Sequence, residues 1–439
     1  MSITMPRMIA AVLLTAALAL STSPARSVEP ASPDDTARFL AGLPPSAGSP
    51  LEALTKDAAW QQHARYLDTI FAREDSTTLS KVRAFSKEHL ADKHDTMFYM
   101  FSGPDFLYAT SFFPNASTYV LAGLEPAGDV PQLTSLSRQA VDATLRNLEA
   151  SMGTLLNYSF FITLKMQTQL RSGPVYGTLP VILVFMARSG KTVHEISLVS
   201  LDEHGEFQTS EEPAAAGANT KKSAKSAPRT AAPGAKIVFS DGIGPKQTLY
   251  YFSTNLSNGS FERSGFSAFL AKLGPADSFI KSASYLLHGG GFSGVRTFLL
   301  DHSATIIQDD SGIPLASFDQ KKWRLQPFGR YVGPLSIFGY AYQPGMSALF
   351  RKAAPLDFKL GYRFRRNESN LLLAQKGAPT TSDEELTPPL PPDQYPAGTA
   401  ARSQKKPRKR VDSDSTGSVG CRVAGIFPFC SNSPPRPGR

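Results

Sequence analysis

Cysteine is nearly absent from this chain: its 439 residues hold two, Cys421 and Cys430, both close to the C-terminal end. Thiol catalysis is therefore excluded from the body of the protein. Two thiols alone fall short of the four ligands that structural zinc wants. In an oxidising compartment they can pair instead, closing a short loop over Arg422–Phe429. Tryptophan is limited to Trp60 and Trp323, and the 7 histidines form no metal-binding or catalytic spacing. There is no P-loop, no dinucleotide fingerprint and no His-Glu-x-x-His, so no cofactor is expected. Long apolar runs are also missing. The longest, Met8 to Leu20 with Thr15 as its mild interruption, covers about 13 residues where a membrane helix needs about 20. A transmembrane protein is not expected.

That short run nonetheless fixes the compartment. Arg7 precedes it, and Ser21-Thr-Ser-Pro-Ala25 supplies small residues for a cut after Ala25. The pattern is that of a secretory signal and predicts a periplasmic or secreted protein.

The formal net charge is +9, but much of it lies in two polar segments. One holds Lys221, Lys222, Lys225 and Arg229; the other holds Lys405, Lys406, Arg408, Lys409 and Arg410. Basic runs attract polyanions. After export the expected partner of the tail is an anionic envelope polymer or lipid, and nucleic acid is not expected. The plain reading of both runs is a solvated segment.

Composition shifts divide the chain into a signal peptide (1–25), a flexible leader (26–50), an N-terminal helical lead-in with a first α/β half (51–204), a disordered linker (205–234), a second α/β half (235–376) and a disordered, Pro-rich basic tail (377–439). The globular part is roughly 320 residues, one large or two modest domains. Helical spacing runs through Trp60, Leu67 and Phe71, then Val82 and Phe85. Met97–Phe101 reads as a strand, and Ser-Gly-Pro104-Asp105 reads as a turn into a helix. Thr118–Leu124 reads as a strand and Leu133–Arg171 as one or two helices. Leu179–Ala187 and Thr192–Leu201 read as a hairpin around Arg188-Ser-Gly-Lys191. In the second half, Ile237–Phe239, Thr248–Ser253, Val295–Leu300 and Thr305–Gln308 read as strands, and Phe261–Leu273 and Ala276–Leu287 as helices. Met97–Ser102 echoes Thr248–Ser253, which raises two related halves. The fold class expected is α+β or α/β, a mixed sheet with flanking helices.

Candidate chemistry is incomplete at every motif. His288-Gly-Gly-Gly-Phe292 matches the segment that builds the oxyanion hole of lipases, yet the chain has no Gly-x-Ser-x-Gly elbow. A turn after a helix explains those glycines without catalysis. Asp105 and Glu125 follow strands and could work as an acid/base pair. Asp309-Asp310 ends another strand and could hold a divalent cation, although calcium needs six to eight oxygens. An Asp-rich turn is the plain alternative, and no metal is expected. Phe338, Tyr340 and Tyr342 alternate, so a strand would align them as a row for stacking on a ligand or for cross-strand packing.

Phe101-Ser-Gly-Pro-Asp-Phe-Leu-Tyr-Ala109, Tyr119–Pro126, Gln308-Asp-Asp-Ser-Gly-Ile-Pro314 and Pro327–Tyr331 together resemble a group of uncharacterised exported bacterial proteins with no assigned activity. The resemblance covers roughly Met97 to Phe350 apart from the linker, and it implies no catalytic residues. The expectation is a non-enzymatic cell-envelope or ligand-binding protein. The alternative is a hydrolase that uses carboxylates, with or without a metal, drawn from Asp105, Glu125, Asp309 and Asp310.

Overall fold

Consecutive apolar residues in a strand need cover on both faces, and Met97-Phe98-Tyr99-Met100 obtain it. Met97 and Tyr99 belong to one core, Phe98 and Met100 to the other, and all four are buried. The same division separates Tyr119 and Leu121 from Val120 and Ala122. In this computed structural model, which describes residues 29–90, 94–158, 175–208, 232–362 and 368–377, the two cores lie on opposite faces of one ten-stranded mixed sheet. The fold is α/β with helices on both sides.

The strands are β1 (Thr96–Tyr99), β2 (Thr118–Gly123), β3 (Thr192–Leu201), β4 (Phe207–Gln208), β5 (Ala232–Ser240), β6 (Gln247–Ser253), β7 (Ala276–Ile280), β8 (Ser303–Gln308), β9 (Trp323–Gly329) and β10 (Asn370–Lys376). Their order is β4-β3-β5-β6-β2-β1-β7-β8-β10-β9. The central run β6-β2-β1-β7-β8 is parallel, and antiparallel strands extend it at both ends. Taken in chain order, those five parallel strands follow the 3-2-1-4-5 pattern of doubly wound folds. The winding reverses between β1 and β7.

One face is covered by α1 (Pro33–Leu40), α2 (Ala58–Glu74), α3 (Ser80–His89), α4 (Phe106–Phe112), α5 (Arg138–Tyr158) and α6 (Leu179–Arg188). The other carries α7 (Ser260–Arg263), α8 (Phe266–Lys272), α9 (Ser293–His302) and α10 (Pro344–Leu349).

Several expectations are corrected. The leader contains α1, capped by Ser32, with Pro33 in its first turn and with Ala37, Phe39 and Leu40 fully buried. Leu179–Ala187 is helix rather than strand. Every one of those residues is buried, so the apolar run carries no period, and Pro180 belongs to a first helical turn. Val295–Leu300 lies in α9, where the buried pair Val295 and Leu299 has helical spacing. Ala276–Ile280 is β7, a central strand disguised by the buried polar Asp277 and Ser278.

The two segments share one sheet. β1 and β2 of the first are inserted between β6 and β7 of the second. β5 starts at Ala232, inside the segment read as linker; residues 209–231, the tail beyond 377 and both cysteines lie outside the described residues.

Aromatic packing seals the helical layer to the sheet. Phe112 of α4 is fully buried, 4.8 Å from Phe279 of β7 and 6.2 Å from Phe85 of α3 by ring centroid. Phe112→Ala should lower unfolding free energy by about 3–5 kcal/mol, measured by urea denaturation. A loss under about 1 kcal/mol would show that this contact is not central to the core.

Candidate functional site at the carboxyl edge of the sheet

Loops that leave parallel strands gather at one edge, and in open α/β sheets ligands bind there where the winding reverses. Here that edge is a seam of buried polar groups. Asp105 follows β1, Glu125 follows β2, Lys281 follows β7, and Asp309 and Asp310 follow β8. All five are between 0 and 3% exposed.

Asp105 is fully engaged. Its Oδ1 caps α4 by accepting from Tyr108 N at 3.3 Å. Its Oδ2 accepts from Tyr99 Oη at 2.7 Å and pairs with Lys281 Nζ at 2.6 Å. The ion pair therefore bridges β1 and β7 at the winding reversal. Lys281 Nζ also sits 3.6 Å from the centre of the Tyr108 ring. Tyr108 Oη donates to Glu74 Oε1 at 3.2 Å, and Glu74 pairs with Lys359 at 3.2 Å. Burial, followed by the charge on Asp105, holds the Tyr99 hydroxyl well above its ordinary value of 10.0.

The Asp309-Asp310 turn is equally occupied. Asp309 accepts from Ser311 N at 3.0 Å, from Ser311 Oγ at 2.5 Å and from Ser282 N at 3.1 Å. Asp310 accepts from Tyr285 Oη at 2.7 Å and Asn370 Nδ2 at 3.2 Å. Burial, then repulsion from Asp310, pushes the Asp309 carboxyl up to about 6. Gly361, at φ +58°, covers it so closely that a Cβ there would lie 1.8 Å from Asp309 Oδ2.

Glu125 is the exception. Among the described residues its carboxylate has no hydrogen-bond or ion-pair partner, while its backbone carbonyl accepts from Tyr251 Oη at 2.7 Å. The carboxylate lies against the bare backbone of Gly123 and beside Gly103, where a Cβ at position 123 would come 2.8 Å from its Oε2. The edge is also strained. The four described non-glycine residues with positive φ, namely Phe101, Ser282, Ser284 and Tyr285, at 53–62°, all lie in its loops.

The aromatic row is corrected. Ser336–Ala341 forms a 3₁₀ turn, so Phe338 points inward, 5.2 Å from Tyr285, while Tyr340 and Tyr342 are 69% and 54% exposed. No flat stacking platform results. The His288-Gly-Gly-Gly segment is two short 3₁₀ turns pinned by Asn258, which donates to Gly290 O at 2.8 Å. It follows a strand and loop, and the expected preceding helix is not there. Among the described residues no group of three or more His, Cys, Asp or Glu is arranged to hold a metal.

A groove of about 630 Å³ lies elsewhere, on the helical layer beside Phe71, Leu107 and Arg188. The charges around it cancel as Arg83–Asp75, Arg188–Asp68 and Lys191–Asp241 pairs at 2.5–2.8 Å. It offers no unbalanced charge to a polar ligand, so the carboxyl edge is the better candidate. No family model, curated protein or solved structure matches the chain.

Sequence reasoning named Asp105, Glu125, Asp309 and Asp310 and missed Lys281, Tyr99, Tyr108 and Asn370. The polar residue after Phe279-Ile280 was the available signal for Lys281. Asp105→Asn and Lys281→Met should each cost about 3–5 kcal/mol, because each strands a buried charge, and the double variant should cost clearly less than their sum. A urea-denaturation double-mutant cycle measures this; simple additivity would contradict the pairing.

Proposed function

We propose that the protein is a non-enzymatic, exported ligand-binding protein of the cell envelope, with its ligand taken at the carboxyl edge of the parallel strands. Export rests on the signal-like N-terminus. The absence of catalysis rests on the occupancy of the seam. An acid/base or nucleophilic carboxylate must come within hydrogen-bond reach of its substrate, whereas Asp105, Asp309 and Asp310 are buried and held by internal donors. The observation that carries the binding reading is Glu125, a buried carboxylate whose acceptor capacity no described residue uses. Its oxygens remain able to accept, so a ligand that supplies N–H or O–H donors, or a cationic group, would pair with it.

The second reading is a carboxylate-dependent hydrolase, favoured by the Asp309 carboxyl standing near 6. One experiment separates the two. Thermal denaturation of the mature chain is followed with polyols, sugars, amino acids and small amines, and the same protein is assayed on chromogenic glycosides and esters. A binding protein gives a Tm rise with one ligand class, lost in Glu125→Gln, and no turnover. Turnover abolished by Asp309→Asn would replace it with the hydrolase.

Attachment through the basic tail belongs to the same proposal. Lys405–Arg410 would hold the protein to an anionic envelope polymer or lipid. Envelope association should then fall with added salt and disappear on deletion of residues 400–439; unchanged fractionation of that deletion would remove the tail from the proposal.

A further inference from the structure

We infer that Val332–Tyr342, the loop after β9, is a membrane-docking loop that seats its exposed apolar side chains among the headgroups of an anionic bilayer.

Exposed apolar residues concentrate there. Of the nine large apolar side chains exposed among the described residues, four belong to this one loop: Val332, Ile337, Tyr340 and Tyr342, at 42, 56, 69 and 54% exposure. Such residues scattered singly mean little, but a cluster marks an interaction surface. The loop is also held in shape. Phe338 points inward, 5.2 Å from Tyr285 and 6.3 Å from Tyr362 by ring centroid. Ile337 and Tyr340 flank it in the 3₁₀ turn, so anchoring that ring keeps both of them outside. The two ends of the loop close on each other. The Tyr331 and Tyr342 rings stack at 6.2 Å, and Gln343 N donates to Tyr331 Oη at 3.1 Å. The apolar tip is therefore preformed and loses little freedom on docking.

The charge pattern selects the partner. Tyr331–Phe350 contains no charged residue, and Gln320–Leu356 contains no Asp or Glu. Arg330 and Arg351 bound the uncharged stretch, Lys352 follows, and all three are exposed. The Tyr331 and Phe350 rings lie 6.1 Å apart, which brings Arg330 and Arg351, their neighbours in the chain, to one base of the loop. A cationic base around an apolar tip fits a surface that is anionic outside and apolar beneath. Each basic residue close to an anionic leaflet strengthens binding about fivefold. Tyrosine, an apolar ring with a polar end, is enriched at headgroup depth. An anionic polysaccharide offers nothing to the aliphatic Val332 and Ile337. A second copy, related by a twofold axis through the loop, would set the same cations against each other. The inference rests neither on Glu125 nor on the basic tail.

Tyr340→Trp in the full mature chain supplies the probe, because Trp60 and Trp323 are 8% and 5% exposed and give a constant background. Titration with vesicles of phosphatidylglycerol and phosphatidylcholine in equal parts should shift the emission of the introduced indole to the blue, and brominated acyl chains should quench it. Half-saturation should need at least about tenfold less lipid than with phosphatidylcholine alone. In the same background, Arg330→Gln with Arg351→Gln should raise the lipid required about tenfold, and Ile337→Ser about fivefold. Ile243→Ser, at the exposed apolar residue of the turn between β5 and β6, should change nothing. Vesicle binding without a blue shift would mean docking by the tail alone and would overturn the loop while sparing the tail. A blue shift that grows with protein concentration in the absence of lipid, with a dimer in sedimentation velocity, would make the loop an interface between copies instead. No binding, equal titration with phosphatidylcholine alone, or an Ile243→Ser effect as large as that of Ile337→Ser would also overturn it.

Discussion

The Asp105–Lys281 ion pair is the constraint on which the carboxyl edge depends. One carboxylate ends the loop after β1, begins α4, accepts from Tyr99 and neutralises the lysine that ends β7. The two strands it joins are neighbours in space yet come from distant parts of the chain. Their connections leave in opposite directions, so nothing in the local backbone draws the two loops together. An ion pair this deeply buried is not a cheap way to gain stability. It is a specific one, because only the correct register of β1 against β7 brings Asp105 and Lys281 within 2.6 Å.

Around that pair, carboxylates outnumber lysines among the described residues of the edge. Asp105, Glu125, Asp309 and Asp310 stand along one seam, with Lys281 the lysine committed to it, since Lys359 is taken by Glu74. Each carboxylate meets its situation differently. Asp105 takes the lysine, Asp310 takes a tyrosine and an asparagine, and Asp309 takes serine donors and rises in pKa. Glu125 takes none of these among the described residues.

Legibility in the sequence followed the strength of local signals. Met97–Phe101 reads as a strand because it is an apolar run of strand length, and Asp105 reads as a helix start because a carboxylate after Gly-Pro suits a helix N-terminus. Leu179–Ala187 was not legible by period, because a segment buried on every side shows none; Pro180 was the overlooked signal. β7 was not legible because Asp277 and Ser278 interrupt its apolar pattern, and with β7 went Lys281. The carboxylates at strand ends could be named as candidates. Their tyrosine, serine and asparagine partners could not, since those residue types occur throughout the chain and only the tertiary fold selects among them.

The insertion of β1 and β2 between β6 and β7 has a kinetic consequence. Neither segment can finish a sheet alone: the first lacks neighbours on both sides of its parallel pair, and the second is split by a gap two strands wide. The central pairings β2–β6 and β1–β7 span long stretches of sequence, and such non-local parallel contacts form slowly because loop closure precedes the reward. The nascent chain must therefore reach β7 before its middle strands are enclosed. Until then the apolar faces of Tyr119–Ala122 remain open edges, the stage at which this fold is most exposed to mispairing and aggregation.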